Sequence, residues 1–237
     1  MTTIFQYHPD ILTGFPNIVG GVILAEGVTN DPAPADLLQI YQDEQKAVLD
    51  RVGSTPLSEI ESLNAWRRTF RAFGADPTKY RCAAEALLRR LTKKGDIPSI
   101  IGLVDLANMV SIRYGLPVAA FNTQAIQGPI TVHFSDGSEW FMPLGQSEPE
   151  HPAGGEVIFS DENRMVVARR WCWRQSAESA AGPDTIRVII TVESQHPAGR
   201  REVEGALNDL LEYLPPFFGG VFQSAILDVN NPVFRAS

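Results

Sequence analysis

Two glutamates carry the first chemical signal. Glu156 and Glu193 each stand at the end of a run of apolar, strand-forming residues, and strand ends commonly border pockets. A carboxylate placed there can orient a water as a general base or grip an ammonium group. The plain alternative for each is a solvated strand-end glutamate. Asp105 and Asn108 form a second pair, three residues apart in Ile100-Ile101-Gly102-Leu103-Val104-Asp105-Leu106-Ala107-Asn108-Met109-Val110. That stretch is apolar on nearly every helical face, so it reads as a buried helix with both polar residues on one side. Buried carboxylate and amide groups need hydrogen-bond partners. Those partners are either nearby loop backbone or a polar ligand in a pocket.

Cations give the third signal. Arg169-Arg170-Trp171-Cys172-Trp173-Arg174 interleaves arginine with tryptophan, a mixture that stacks on bases and contacts phosphates. Read as a strand, it puts Trp171 and Trp173 on one face and Arg170, Cys172 and Arg174 on the other. The alternative is a half-buried strand with solvated arginines. Arg67, Arg68 and Arg71 cluster upstream, as do Arg89, Arg90, Lys93 and Lys94. These two groups are either a phosphate-contacting stripe or a solvated face, the last four complementing the C-terminal end of a helix dipole.

Other chemistries find no support. The chain has no G-x-S-x-G, Walker A, H-E-x-x-H or G-x-G-x-x-G pattern. Three of its four histidines (His8, His151 and His196) precede proline, and no two have metal-ligand spacing. The two cysteines, Cys82 and Cys172, form no C-x-x-C pair and read as small buried hydrophobes. Neither a metal nor a cofactor is expected.

The elements that must hold these residues follow from local signals. Gly20–Ala25 reads as a strand. Pro32 and Pro34 open a helix over Ala35–Arg51. Ser58 and Glu61 have capping-box spacing and predict a helix through Phe73, stopped by Gly74. Further helices are expected over 79–94, stopped by Gly95, and over Ile100–Tyr114, capped by Ile97-Pro98-Ser99 and stopped by Gly115. After Pro117 the pattern turns to short strands at Val118–Phe121, Ile130–Phe134, Glu139–Met142, Val157–Phe159, Met165–Ala168 and Ile186–Val192. Ser135-Asp136-Gly137-Ser138 predicts a hairpin turn between two of them. A last helix, about Arg200–Tyr213, should end at Pro215-Pro216. Helices, then strands, then a helix describe an α+β fold.

Composition bounds the partners. The chain has 237 residues, 44% hydrophobic and 20% charged, enough to bury a core. Its net charge of −8 argues against coating nucleic acid without specificity. The charge is uneven, however. Residues 67–94 hold nine basic and two acidic side chains, a local balance of +7. No apolar run reaches the ~18 residues that span a bilayer. The N-terminal residues lack a basic region followed by an apolar core, so the expectation is a cytoplasmic protein with no membrane partner.

Together the motifs resemble a family. Lys79-Tyr80-Arg81, Glu85–Arg90, Ile97–Ile100, Leu103-Val104-Asp105-Leu106-Ala107-Asn108, Leu116–Asn122 and Ile126–Ile130 are similar, in order and spacing, to the B3/B4 domain. That domain is the editing module of the bacterial phenylalanyl-tRNA synthetase β subunit, and it also occurs as free-standing proteins. The resemblance covers about residues 60–215. It implies a β-sandwich-like core with helices packed on it. Residues 1–60 read as a strand and helix extension, with a helical N-terminal part, on a domain at 61–237, and no linker separates the two, so one compact unit is expected. The implied partner is tRNA or aminoacyl-tRNA rather than DNA, and the implied activity is hydrolysis of a mischarged aminoacyl-tRNA. The remaining residues leave no room for a synthetase core, so no aminoacylation is expected. A module that binds tRNA, or a free amino acid-like ligand, without turnover is the alternative.

By the resemblance, Asn108 matches the pocket asparagine of the family's Val-Asp-x-Thr-Asn motif, with Ala107 in place of its threonine. Pro117 falls in the Pro-x-x-x-Phe motif, and Ala119 stands where the family has a pocket histidine. The segment Thr185–Glu193 matches the strand that carries the pocket glutamate, which favours Glu193 over Glu156. The family's glycine-rich loop is replaced by Arg169–Arg174. Asp105, Asn108, Pro117 and Ala119 are therefore the expected substrate contacts. Arg67, Arg68, Arg71, Arg89, Arg90, Lys93, Lys94, Arg170 and Arg174 are the expected RNA contacts.

Overall fold

A computed structural model describes residues 1–236. Among the described residues ten strands form two sheets. The first, six-stranded, has the order β10-β1-β4-β5-β6-β7, from Val233–Ala236, Thr2–Tyr7, Ile130–Phe134, Val157–Ser160, Val166–Arg169 and Arg174–Gln175. The second, four-stranded, has the order β3-β8-β2-β9, from Val118–Asn122, Arg187–Ser194, Val19–Glu26 and Val221–Leu227. Inner faces of the two sheets meet. Phe121 of β3 packs against Phe159 of β5 with ring centroids 5.9 Å apart, and Tyr7 of β1 reaches Glu193 of β8. Helices cover the rest: α1 (Pro9–Gly14), α2 (Ala35–Val52), α3 (Glu61–Ala72), α4 (Ala83–Lys94), α5 (Gly102–Tyr114) and α6 (Gly199–Phe218). The fold is α+β, a sandwich with helices packed on it.

Residues 1–60 do not stand apart from the sheets. β1 lies between β10 and β4, and β2 lies between β8 and β9. Strand β2 is buried along Gly20–Ala25, and it carries two glycines because neighbours approach its backbone. A Cβ at Gly20 would overlap the Tyr7 hydroxyl. A Cβ at Gly21 would fall 2.7 Å from Leu207 of α6.

Local stop signals act as expected. Gly74, Gly95 and Gly115 end their helices with φ of +85°, +83° and +65°. Several starts and one stop differ from expectation. Ser58 lies in a single 3-10 turn, Leu57–Glu59, and Ile60 starts α3 with no side-chain cap. Helix α4 begins at Ala83 rather than 79, because Thr78, Lys79 and Tyr80 turn around Asp76 through its side chain and carbonyl. Ile101, not Ser99, caps α5. Helix α6 runs through Pro215 and Pro216 to Phe218. Phe218 is buried against Gly102, where any Cβ would fall 2.6 Å from its ring, and that anchor holds the last turn.

The expected hairpin at Ser135–Ser138 does not form. The Glu139 carboxylate accepts from the Ser135 hydroxyl (2.6 Å) and the Gly137 amide (3.2 Å), which curls the chain out of the sheet. β4 pairs with β5 instead, and 139–142 keeps only isolated bridges at Trp140 and Phe141. Nor is Arg169–Arg174 a strand. Arg170 and Trp171 adopt φ of +45° and +61°, turning β6 back into β7. Trp171 is therefore fully buried while Trp173 is half-exposed, and the two do not share a face.

Candidate functional site

The site is a cavity of about 190 Å³ where α5 meets the two sheets. Helix α5 supplies Val104, Ala107 and Asn108. Pro117 and Ala119 come from the start of β3, and Thr191 and Glu193 from β8. The turn from Trp171 to Gln175 forms the facing wall. Alternation along β8 puts Thr191 and Glu193 on the cavity side, while Val188, Ile190 and Val192 point into the core. Most of the wall is apolar, and the volume is of the class that admits a benzene-sized group.

Glu193 dominates the chemistry. It is 2% exposed. Its Oε1 accepts from the Tyr7 hydroxyl at 2.7 Å, and both oxygens lie 3.1 Å from the Trp171 indole N–H. Among the described residues no cation pairs with it. Burial pushes its carboxyl up to about 7, while the two donors pull the other way. Tyr7 is itself pushed well above its ordinary range, by burial and then by the Glu193 charge, so it acts as a donor. Cys172 also lines the cavity. Burial, followed by the neighbouring Cys82, pushes its thiol up, which makes it a poor nucleophile.

Glu156 has a different fate. Its carboxylate takes the Arg169 guanidinium at 2.9 and 3.1 Å and the Arg170 backbone amide at 3.0 Å. It fixes the base of the 169–174 turn and does not line the cavity. Asp105 also turns away. It accepts from the Ser99 hydroxyl (2.5 Å) and the Ile100 amide (2.8 Å), tying down the entry to α5. Asn108, Pro117, Ala119 and Glu193 are thus brought together, and Asp105 and Glu156 are not.

The cations divide similarly. Arg89, Arg90, Lys93 and Lys94 line an open groove with Lys79, Arg81, Trp173 and Arg174. Trp173 and Arg174 belong to both groove and cavity. Arg170 lies over Tyr80 at 3.9 Å, behind the groove. Arg67 is held by the buried Glu85 at 2.6 Å. Arg68 bonds Asn64 and borders a separate cleft with Gln195, and Arg71 is exposed outside the groove.

Sequence reasoning missed Tyr7, counted Lys79 and Arg81 only within the basic segment 67–94, and read Trp171 as a base-stacking residue rather than a donor to Glu193. The two glycines in β2 were the available signal for Tyr7, since a glycine inside a strand marks a close approach. One tempting cluster is inert. Ser194 Oγ lies 2.7 Å from His196 Nδ1, and His196 Nε2 lies 3.0 Å from Glu202, but Ser194 is fully buried beneath Gly199 and no substrate reaches it. Among the described residues no group of three or more His, Cys, Asp or Glu is placed to hold a metal ion, and no helix is long and apolar enough to cross a membrane.

Comparison with known proteins gives the family and the fold. The sequence pattern of the B3/4 domain matches residues 65–207. The phenylalanine–tRNA ligase beta subunit of Photorhabdus laumondii is 25% identical over 141 residues, which is 60% of this chain and 18% of that subunit. The corresponding subunit of Shewanella oneidensis is 28% identical over 88 residues, 37% of this chain and 11% of the subunit. The chain thus spans less than a fifth of the length of these relatives. Among solved structures, an N-terminal fragment of the phenylalanyl-tRNA synthetase beta-subunit from Pyrococcus horikoshii superposes with a TM-score of 0.51 at 13% identity. That match covers 94% of this chain and 52% of the fragment, and it speaks to the fold.

Proposed function

Because the chain belongs to the B3/4 domain family, we propose that it hydrolyses the ester of a mischarged aminoacyl-tRNA carrying an apolar amino acid. The observation that carries this reading is Glu193, a buried carboxylate without a cation, set in an apolar cavity that opens onto a cationic groove. The groove takes the phosphates of the tRNA 3′ end and the cavity takes the amino-acid side chain, with Asn108 positioning the aminoacyl group.

Glu193 acts as general base. Its proton affinity is near neutral, the range in which proton transfer is most effective. It accepts a proton from a water whose oxygen attacks the acyl carbon. The bond from that carbon to the ribose oxygen then breaks, and the proton is returned to the ribose oxygen. Free amino acid and a tRNA with its terminal hydroxyl restored are the products. Tyr7 and Trp171 hold the carboxylate in one orientation throughout. The tRNA's own neighbouring hydroxyl assists.

Ala107 and Ala119 favour a second reading, in which the cavity binds tRNA or an amino acid-like ligand without turnover. Those positions carry polar groups in the resembled editing domain, and here they are methyl groups beside Glu193, Asn108 and Thr191. Deacylation of a panel of mischarged tRNAs decides. Release above the spontaneous rate with at least one apolar amino acid supports hydrolysis. Tight, salt-dependent binding with no release supports the second reading.

A further inference from the structure

Two side chains, Trp173 and Arg174, stand where the cavity meets the groove, and Tyr80 and Arg170 back them. Tyr80 and Trp173 pack edge to face at 4.9 Å. The Arg170 guanidinium lies 3.9 Å from the Tyr80 ring centre and 4.6 Å from that of Trp173, and Arg174 lies 4.5 Å from Trp173. The two arginines are held differently. Arg170 is fixed from below by Glu156 at 3.4 Å. Arg174 is exposed and has no ion-pair partner among the described residues. The turn that presents this shelf carries two non-glycine residues with positive φ, Arg170 and Trp171. Such backbone strain persists only where the surroundings over-determine it. Here Trp171 is locked in the core and Arg170 on Glu156, so Trp173 and Arg174 are pushed outward.

We propose that the Trp173–Arg174 shelf is a nucleobase site that stacks the terminal base of the RNA. This rests on the proposed function and deepens it by assigning the base that precedes the ester. Geometry supplies the reason. A chain whose phosphates run along Arg89, Arg90, Lys93 and Lys94 and whose acyl group enters the cavity must cross this shelf, because Trp173 and Arg174 border both. An aromatic ring and a planar guanidinium stack on any base. Arg174 is free to swing from the ring and close over the base, while Arg170 keeps the ring in place.

The test uses the full chain and uncharged oligonucleotides ending in CCA. Each is compared with the same oligonucleotide carrying an abasic terminal unit, by quenching of tryptophan fluorescence or by filter binding. The complete oligonucleotide is expected to bind about tenfold more tightly than the abasic one. Trp173→Ala should abolish that ratio and Trp173→Phe should keep most of it. Arg174→Lys retains the charge and loses the plane, so it should shrink the ratio without changing the salt dependence. Equal affinity for complete and abasic oligonucleotides in the unmodified protein would overturn the shelf while leaving the phosphate groove intact. Failure to bind any of the oligonucleotides would overturn the proposed function and the shelf with it.

Discussion

Glu156 and Glu193 are residues of one type, both at the ends of buried strands and both almost fully enclosed. Their surroundings separate them. Glu156 faces a guanidinium that matches it with two parallel hydrogen bonds, so its charge is neutralised and its geometry closed. Glu193 faces a phenol and an indole, donors without charge, and a cavity on its open side. The first carboxylate holds a turn and the second is left able to exchange a proton. Burial alone makes neither residue a reactive one. What matters is whether the protein supplies a countercharge.

Each prediction is a way to collapse or widen that contrast. The largest effect is expected from Glu193→Gln, which keeps the shape and removes the base. Hydrolysis should fall by about 10²–10⁴-fold, the usual contribution of a general base, with folding unimpaired. A loss below tenfold in single-turnover deacylation would show that Glu193 is not the base. Glu156→Gln should do the reverse. It leaves Arg169 with Glu150 as its remaining carboxylate partner, at 2.6 Å, and should cost about 1–3 kcal/mol in chemical denaturation. Were the mutant as stable as the parent, the clamp would have no structural role.

Next is the pH dependence of stability. The folded Glu193 carboxyl holds its proton up to about 7, above the range of an unfolded glutamate. Between those two values the folded state binds more protons than the unfolded state, so stability falls as pH rises through that window. The contribution present at low pH and lost by neutrality is about 3 kcal/mol. Glu193→Gln should flatten this slope, and an unchanged slope in urea titrations at pH 4.5 to 7.5 would argue against it. The smallest effect should come from Gly20→Ala. Its methyl displaces the Tyr7 hydroxyl from Glu193 and should cost about 1–3 kcal/mol by overpacking. Hydrolysis should weaken in the same variant, and Tyr7→Phe should reproduce that weakening without the steric cost.

What was legible in the sequence tracks the range of the interactions. Helix stops at Gly74, Gly95 and Gly115 depend on one residue and its neighbours, and they were readable. The buried character of α5, the strands after Pro117 and the α+β class follow from periodicity. Glu193 and Asn108 were first singled out by strand-end position and helical spacing, and motif resemblance then favoured Glu193 over Glu156. Long-range partners were hidden. Tyr7 lies 186 residues from Glu193, and nothing near either announces the other. Arg67 was counted as a free cation because Glu85 reaches it only once α3 and α4 have docked. Asp105 sits on a helix face that suggests a pocket, but the loop before α5 folds back and claims it through Ser99 and Ile100. The 169–174 run alternates like a strand, yet the Glu156 clamp and the burial of Trp171 force it into a turn.

The central claim is that the Glu193 proton controls ester hydrolysis. Single-turnover release of the amino acid from a mischarged tRNA, followed from pH 5.5 to 8.5 and corrected for spontaneous hydrolysis, tests it most directly. The expected rate rises through a single ionisation near pH 7, and that step disappears in Glu193→Gln. No release above the spontaneous rate with any aminoacyl-tRNA, or the same pH profile in Glu193→Gln as in the parent, would contradict it.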